Sequence, residues 1–143
     1  MVTFRRILAP VDFEPCSRRA LEVAVGVALR FRAKLTLIHA WDVPRYVYAS
    51  PPESLDLWDS FGGAARQQLD ATLATVRTRL PQAESVLVRG PAGPEVVAAV
   101  GRLAADLVVV GSHGRTGLSR AFLGSVAEKI VRGCLVPVLT VRG

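Results

Sequence analysis

The sequence predicts an α/β domain with a doubly wound, five-stranded parallel sheet and helices on both faces. Short apolar segments alternate with helix-like segments along the whole chain, a rhythm typical of parallel sheets covered by helices. A strand, a helix and a second strand within about forty residues form a βαβ unit, which pairs its strands in parallel. The 143 residues, of which 50% are hydrophobic, suit one domain with one core, so we expect a single domain over 1–143.

The first three segments define this βαβ unit. Residues 4–12 contain the apolar run Ile7 to Ala9 and close with Asp12, which indicates the first strand. Pro15 suits the first position of a helix, and apolar residues recur at helical spacing from there to Leu29. The second strand follows at Leu35–Ala40.

The rest of the chain repeats the alternation after one irregular segment. Residues 41–60 contain prolines and scattered aromatics and predict a long loop, whose aromatic side chains either pack it down or contact a ligand. Pro137 lacks an N–H donor, so the last strand should lie at or near an edge of the sheet. The remaining predicted elements are a helix from near Phe61–Ala65 to before Pro81, a strand at Ser85–Arg89, a turn at Gly90–Gly93, a helix from Pro94, a strand at Leu107–Val110, a helix from near Gly124 and a strand at Val136–Val141.

The composition limits the classes of function. The net charge of +6 comes mainly from arginines spread singly or in pairs, without a basic run, so we expect no specific nucleic-acid partner. No apolar run reaches the length of a membrane helix and no signal peptide is indicated, so a cytoplasmic protein without membrane contact is expected. Cys16 and Cys134 stand far apart without clustered histidines, which favours reduced thiols and no metal site made of protein ligands alone.

The segment from Asp106 to Arg132 carries the most specific signal. A buried strand runs into a glycine-rich loop, and a helix starts near Ser125. Unpaired N–H groups and the positive end of the helix dipole meet at such a helix start, and glycine lets an anion approach the main chain. The spacing Gly111-x2-Gly114-x9-Gly124-Ser125 fits neither GxxxxGK[ST] nor GxGxxG. It predicts a phosphate site, and the alternative is a glycine-rich loop without a ligand.

These motifs resemble those of the universal stress protein family, and of its ATP-binding branch in particular. The resemblance runs through ILAPVDF at 7–13, LTLIHAW at 35–41, ADLVVVGSHGRTGL at 105–118, FLGSVAEKIV at 122–131 and VPVLTV at 136–141. It implies a Rossmann-like sheet of strand order 3-2-1-4-5, in which the first and fourth strands flank a nucleotide crevice at their carboxyl ends. Periodicity alone does not establish that order.

The resemblance also implies which residues contact the nucleotide. Asp12 would hydrogen-bond it, Pro10 and Val11 would line the adenine pocket, and Ala40 would close that pocket. The glycines of the loop would lie along the ribose and α-phosphate, and the start of the last helix would bind the terminal phosphates. The full candidate set is Pro10, Val11, Asp12, Ala40, Gly111, Ser112, His113, Gly114, Arg115, Gly124, Ser125 and Val126.

Several of these residues have a second interpretation. Asp12 can instead cap the turn before the first helix. His113 either donates to a phosphate or is simply solvated, and Arg115 and Arg120 either neutralise phosphate charge or face water. His39, on the second strand, is interpreted as a core or crevice residue with a satisfied hydrogen bond.

The resemblance implies a stress-response protein that holds ATP with Mg²⁺, with ADP and AMP as alternative ligands, and signals through its bound state. We name no catalytic residue, because no phosphate-cradling lysine or triad follows from the spacing. A slow ATPase or phosphotransferase and an interaction module with a vestigial pocket stay as alternatives. The resemblance also implies a homodimer formed through the last strand, Val136–Val141, although Pro137 can instead protect that edge from pairing.

Overall fold

The computed structural model describes residues 1–49, 55–113 and 122–143 of the chain. Its strands and helices alternate as the hydrophobic pattern predicts, with one additional short helix. The strands are β1 (Arg6–Pro10), β2 (Lys34–Trp41), β3 (Glu84–Arg89), β4 (Leu107–Gly111) and β5 (Val138–Val141), and the helices are α1 (Pro15–Phe31), α2 (Arg45–Tyr48), α3 (Leu55–Arg77), α4 (Ala92–Arg102) and α5 (Ser125–Gly133).

The five strands form one parallel sheet in the order β3-β2-β1-β4-β5, which confirms the strand order that the resemblance implies. The chain moves outward from β1 to β3 and then returns to place β4 on the other side of β1. The loops that leave the carboxyl ends of β1 and β4 therefore run in opposite directions. A crevice at such a switch point is the usual ligand site of doubly wound sheets.

Helices cover both faces of the sheet, and each face has its own core. On one face α1 and α3 pack against the sheet around Leu37 and Leu69. On the other face α4 and α5 pack around Ile38 and Ile130. Because side chains alternate along a strand, neighbouring residues of one strand belong to different cores. This alternation determines which candidate residues share a face.

The prediction of a long loop over residues 41–60 is wrong in its described part. Helix α2 occupies Arg45–Tyr48, and α3 begins at Leu55 rather than near Phe61–Ala65. The sequence did not predict these helical turns, because aromatic contacts stabilise them and no helical repeat of aliphatic residues marks them. Tyr48 packs edge-on against Trp58 with 4.9 Å between the ring centroids, and the Arg89 guanidinium carbon lies 3.7 Å from the centroid of the Trp58 ring.

Two further boundaries differ from the prediction. The turn predicted at Gly90–Gly93 is shorter, because Pro91 already serves as the N-cap and α4 begins at Ala92. Strand β5 begins at Val138 rather than Val136, so Pro137 lies just before it. The Pro137 carbonyl nevertheless accepts a hydrogen bond from the Val108 amide at 3.0 Å. Strand β5 lies at the edge of the sheet, as the proline predicts.

Candidate functional site

The carboxyl ends of β1 and β2 bring two candidate residues to one level. Pro10 pairs with Ile38, so Asp12 lies level with Ala40 two residues further along both strands. The pairing continues past the end of β1, because the Val11 amide donates to the Ile38 carbonyl at 2.9 Å. Pro10 is buried and Ala40 is half-buried. Both alternate with residues of the α1–α3 face and so belong to the face covered by α4 and α5.

The carboxyl end of strand β4 forms another side of the crevice. Leu8 pairs with Val108. Four residues further along both strands, Asp12 therefore lies level with Ser112. The Ser112 amide donates to the Val141 carbonyl at 2.8 Å, and its side chain is only 2% exposed. Ala40, Asp12 and Ser112 therefore mark the ends of three adjacent strands at one edge of the sheet.

Asp12 closes the turn that leads into α1. Its Oδ1 accepts a hydrogen bond from the Glu14 amide at 2.9 Å, and its own amide donates to Ser17 Oγ at 3.0 Å. Ser17 is a buried hydroxyl residue of α1 that the sequence analysis did not single out. The turn-capping role considered for Asp12 is thus confirmed, and its nucleotide role stays a prediction.

The hydrogen bond that Asp12 accepts in this turn should contribute to the free energy of unfolding. Asp12→Ala is expected to lower the free energy of unfolding by about 1 kcal/mol, because the Glu14 amide loses its acceptor. Asp12→Asn keeps a side-chain oxygen and should cost less. Urea unfolding monitored by circular dichroism measures both. Equal losses in the two variants would show that the charge, and not the acceptor, stabilises the turn.

Val11 turns away from the face that carries Pro10 and Ala40. Its side chain belongs to the α1–α3 core, and its main-chain carbonyl lies 2.7 Å from His39 Nδ1. A carbonyl only accepts, so Nδ1 of His39 carries the proton. This is the satisfied hydrogen bond predicted for His39. Its ring also packs against Phe13 with 4.5 Å between centroids.

Phe13 is a residue of this turn that sequence reasoning missed. Its φ of 67° lies in the left-handed region, which aromatic residues rarely occupy. The turn is fixed by side-chain contacts: Phe13 against His39, and Arg18 Nε donating to the Phe13 carbonyl at 2.9 Å. No local signal such as a glycine or asparagine announces a left-handed residue at this position.

Gly111 allows α1 to approach the end of β4 closely. A Cβ at this position would lie 3.1 Å from Cys16 Sγ and 3.2 Å from the carbonyl carbon and oxygen of Cys16. The absence of a side chain at Gly111 is therefore explained by helix packing, independently of any ligand.

Gly111→Val is expected to lower the free energy of unfolding by about 1–3 kcal/mol, because the added atoms must displace main-chain atoms of α1. Gly101→Ala on α4 is the matched control, since a Cβ there would meet no atom of the described chain within 4 Å. Urea unfolding of both variants checks this. A Gly111→Val midpoint equal to that of the wild type would mean that the α1–β4 contact relaxes without cost.

The start of α5 is joined directly to the end of β4. The Gly124 amide donates to the Ser112 carbonyl at 2.7 Å, which brings the two ends of the glycine loop together. Gly124 is the N-cap, with φ −63° and ψ 160°, and no side chain caps the helix within the described residues. Ser125 and Val126 are exposed at this helix start. First-turn N–H groups of an uncapped helix attract an anion.

The charges near this helix start do not oppose an anion strongly. Glu128, in the first turn of α5, is paired with Arg132 at 3.1 Å. Lys129 packs against α4, where a Cβ at Gly93 would lie 2.8 Å from the Lys129 Cδ. The Lys129 side chain thus lies along the start of α4.

The loop between Ser112 and Gly124 is described only in part. Ser112 Oγ lies 2.8 Å from His113 Nδ1, so the buried hydroxyl is directed at the imidazole. The predicted contacts of Gly114, Arg115 and Arg120 lie outside the described residues. Their roles stay predictions.

Two aromatic residues of 41–60, Tyr48 and Trp58, pack against each other. The Tyr48 hydroxyl donates to Asp42 Oδ1 at 2.6 Å, and this hydrogen bond raises the pKa of Tyr48 above its ordinary value. With Trp58 between Tyr48 and Arg89, these side chains form an internal cluster. Packing is observed for Tyr48 and Trp58, and contact of these aromatics with a ligand stays a prediction.

Over residues 1–49, 55–113 and 122–143, no three His, Cys, Asp or Glu side chains come together as metal ligands. Cys16 and Cys134 are free thiols, and burial raises the pKa of the Cys134 thiol. Within the same ranges, no helix combines the length and apolar character needed to cross a membrane.

Comparisons with known proteins agree on one family. The sequence model of the Universal stress protein family matches residues 3–142. A universal stress protein of Thermus aquaticus is 32% identical over 97% of this chain and 99% of its own length. One of Methanocaldococcus jannaschii is 29% identical over 97% of this chain and 82% of its own length.

Solved structures share the fold. The universal stress protein UspA of Lactobacillus plantarum superposes with a TM-score of 0.84 at 22% identity, covering 99% of this chain and 100% of that one. A universal stress protein in complex with cAMP has a TM-score of 0.71 at 21% identity, covering 97% of each chain. A family member from Arabidopsis thaliana with AMP bound has a TM-score of 0.68 at 18% identity, covering 96% of this chain and 91% of that one. Some structural neighbours thus bind adenine nucleotides.

Proposed function

The chain belongs to the universal stress protein family, and we propose that it binds an adenine nucleotide, ATP with Mg²⁺, at the carboxyl ends of β1, β2 and β4. One observation carries the proposal: the Gly124 amide is bonded to the Ser112 carbonyl at 2.7 Å. This bond holds the start of α5, which no described side chain caps, at the switch point of the sheet, where a polyphosphate would meet first-turn N–H groups.

The other end of the crevice has the apolar surface that an adenine ring requires. Pro10 and Ala40 present small apolar surfaces on the same sheet face as α5, and the Asp12 carboxylate adds an acceptor beside them. The AMP-bound and cAMP-bound relatives support an adenine nucleotide as the ligand class. Mg²⁺ would enter with ATP, because this ion is usually held by phosphate oxygens with one or two carboxylates.

We further propose that the bound state itself is the output, in a cytoplasmic stress response. No residue is assigned a catalytic role, because Lys129, the lysine nearest to the glycine loop in sequence, packs on α4. Phosphoryl transfer in P-loop enzymes relies on a lysine at the phosphates. A slow ATPase is the alternative that turnover measurements separate from this proposal.

Strand β5 supports the proposal of a homodimer. It is an edge strand, and Leu135 beside it is fully exposed, at 102% of its reference area. Leu139 on the strand is also exposed. Apolar side chains on an open edge favour pairing with a second copy across a two-fold axis. The single domain over 1–143 would then be the repeating unit.

Calorimetric titration of the purified chain with ATP, ADP and AMP, each with and without Mg²⁺, tests the function. We expect micromolar binding of at least one adenine nucleotide, which corresponds to about −8 kcal/mol, and no binding of inorganic phosphate in that range. GTP serves as the matched control for the base. Mass spectrometry of co-purified nucleotide identifies the cellular ligand. No heat and no thermal shift with any adenine nucleotide would overturn the proposal, and loss of ATP over hours would favour the ATPase.

A further inference from the structure

A cavity lies between α1 and α3, on the sheet face opposite α5. Its volume is about 500 Å³, within the ~300–1,000 Å³ of ordinary ligand pockets. Its floor is apolar and buried, and it is formed by Val11, Leu21, Val25 and Val76. The nucleotide site proposed above does not use this cavity.

The polar groups at its mouth are mostly satisfied internally. Thr72 Oγ1 donates to the Gln68 carbonyl at 2.8 Å, and Thr75 Oγ1 donates to the Ala71 carbonyl at 3.3 Å. Both hydroxyl hydrogens are therefore already donated to main-chain carbonyls. Arg79, just after the end of α3, pairs with Glu22 of α1 at 2.8 Å, so together they add no net charge.

Arg18 is the cation that remains. Its Nε donates to the Phe13 carbonyl at 2.9 Å, which fixes the guanidinium at the mouth of the cavity. Its two terminal nitrogens have no hydrogen-bond partner in the part of the chain that the structure describes. Arg18 also lies in the first turn of α1, which contains no acidic residue, so the helix dipole adds to the positive potential.

We propose that this cavity binds an amphipathic monocarboxylate. The apolar chain would lie on the floor residues, and the carboxylate would accept hydrogen bonds from the two terminal nitrogens of Arg18. One unpaired cation matches one negative charge, whereas the three or four charges of a nucleotide polyphosphate would face Glu22 as well. The chemistry therefore fits a fatty or aryl-alkyl carboxylate and disfavours a phosphate ester.

Titration of the full chain with decanoate below its micelle concentration tests the proposal, with decanol and acetate as probes of the two halves of the ligand. Calorimetry should give saturable binding of decanoate and none of acetate, and decanol should bind about 10-fold or more weakly because it lacks the charge. Arg18→Gln should lower the affinity for decanoate by a similar factor. Arg19→Gln, one residue further along the exposed surface of α1, is the matched control and should leave the affinity unchanged.

A second variant tests the volume independently of charge. Ala71 lines the cavity from α3, and Ala71→Trp should fill it and remove decanoate binding while circular dichroism stays that of the wild type. The proposal is overturned by equal decanoate affinity of Arg18→Gln and Arg19→Gln, by unchanged affinity of a folded Ala71→Trp variant, or by no binding to the wild type. Adenine-nucleotide affinity, measured on the same samples, reports separately on the crevice.

Discussion

Replacing Gly124 with leucine is expected to lower the affinity for ATP by at least about 100-fold while the chain stays folded. A side chain at this N-cap would occupy the approach to the first-turn N–H groups of α5, where the terminal phosphates would bind. Losing two charge-assisted hydrogen bonds, at about 1.5–3 kcal/mol each, accounts for this factor. Calorimetric titration with ATP and Mg²⁺ measures it.

Two further variants make this result interpretable. Gly101→Leu on α4 adds the same side chain where a Cβ would meet no described atom within 4 Å, so its ATP affinity should equal that of the wild type. Ser125→Pro removes one N–H donor and one hydroxyl at the first helical position, where proline is well tolerated. It should lower the affinity for ATP by about 10-fold. Wild-type affinity in both Gly124→Leu and Ser125→Pro would place the phosphates somewhere other than the start of α5.

The position of Gly124 illustrates what the sequence can predict. A strand, a glycine loop and a helix start are local patterns, so the N-cap at Gly124 and the start of α5 at Ser125 could be read from residue types and spacing. The order of the strands needed the resemblance, because alternation alone is compatible with several orders. Pro137 could place β5 at an edge, since a missing N–H is a property of the residue itself.

Gly111 and Val11 show what the sequence could not predict. The sequence predicts a ligand role for Gly111, which stays a prediction, and gives no sign of its packing role: the atoms that a Cβ would meet belong to Cys16, 95 positions away in the chain. Val11 and Pro10 are neighbours in sequence, yet they belong to opposite faces of the sheet. Both facts depend on how α1 is positioned over the sheet, which is a tertiary distance with no local signature. The cavity between α1 and α3 has the same origin.

Ile130→Ala is expected to lower the free energy of unfolding by about 2–5 kcal/mol, the largest loss of stability that we predict. Of the nine residues of α5, Ala127 and Ile130 are buried, and Ile130, with 0% exposure, is the larger. Its truncation leaves a void against α4 and the sheet, and a void in a close-packed core costs more than the transfer of the lost atoms. Urea unfolding should show a lower midpoint with an unchanged slope.

The same substitution tests whether the phosphate cradle depends on how α5 is seated. If Ile130 holds the helix on the sheet, a shift of α5 moves its first-turn N–H groups away from the Ser112 end of β4, and ATP affinity should fall by about 10-fold. Val131→Ala is the matched control, because this neighbouring side chain is 42% exposed and should change stability by less than about 1 kcal/mol. A destabilised Ile130→Ala variant with wild-type ATP affinity would mean that the Gly124–Ser112 hydrogen bond alone positions the helix start. Equal stability losses in Ile130→Ala and Val131→Ala would instead contradict the assignment of Ile130 as the anchor.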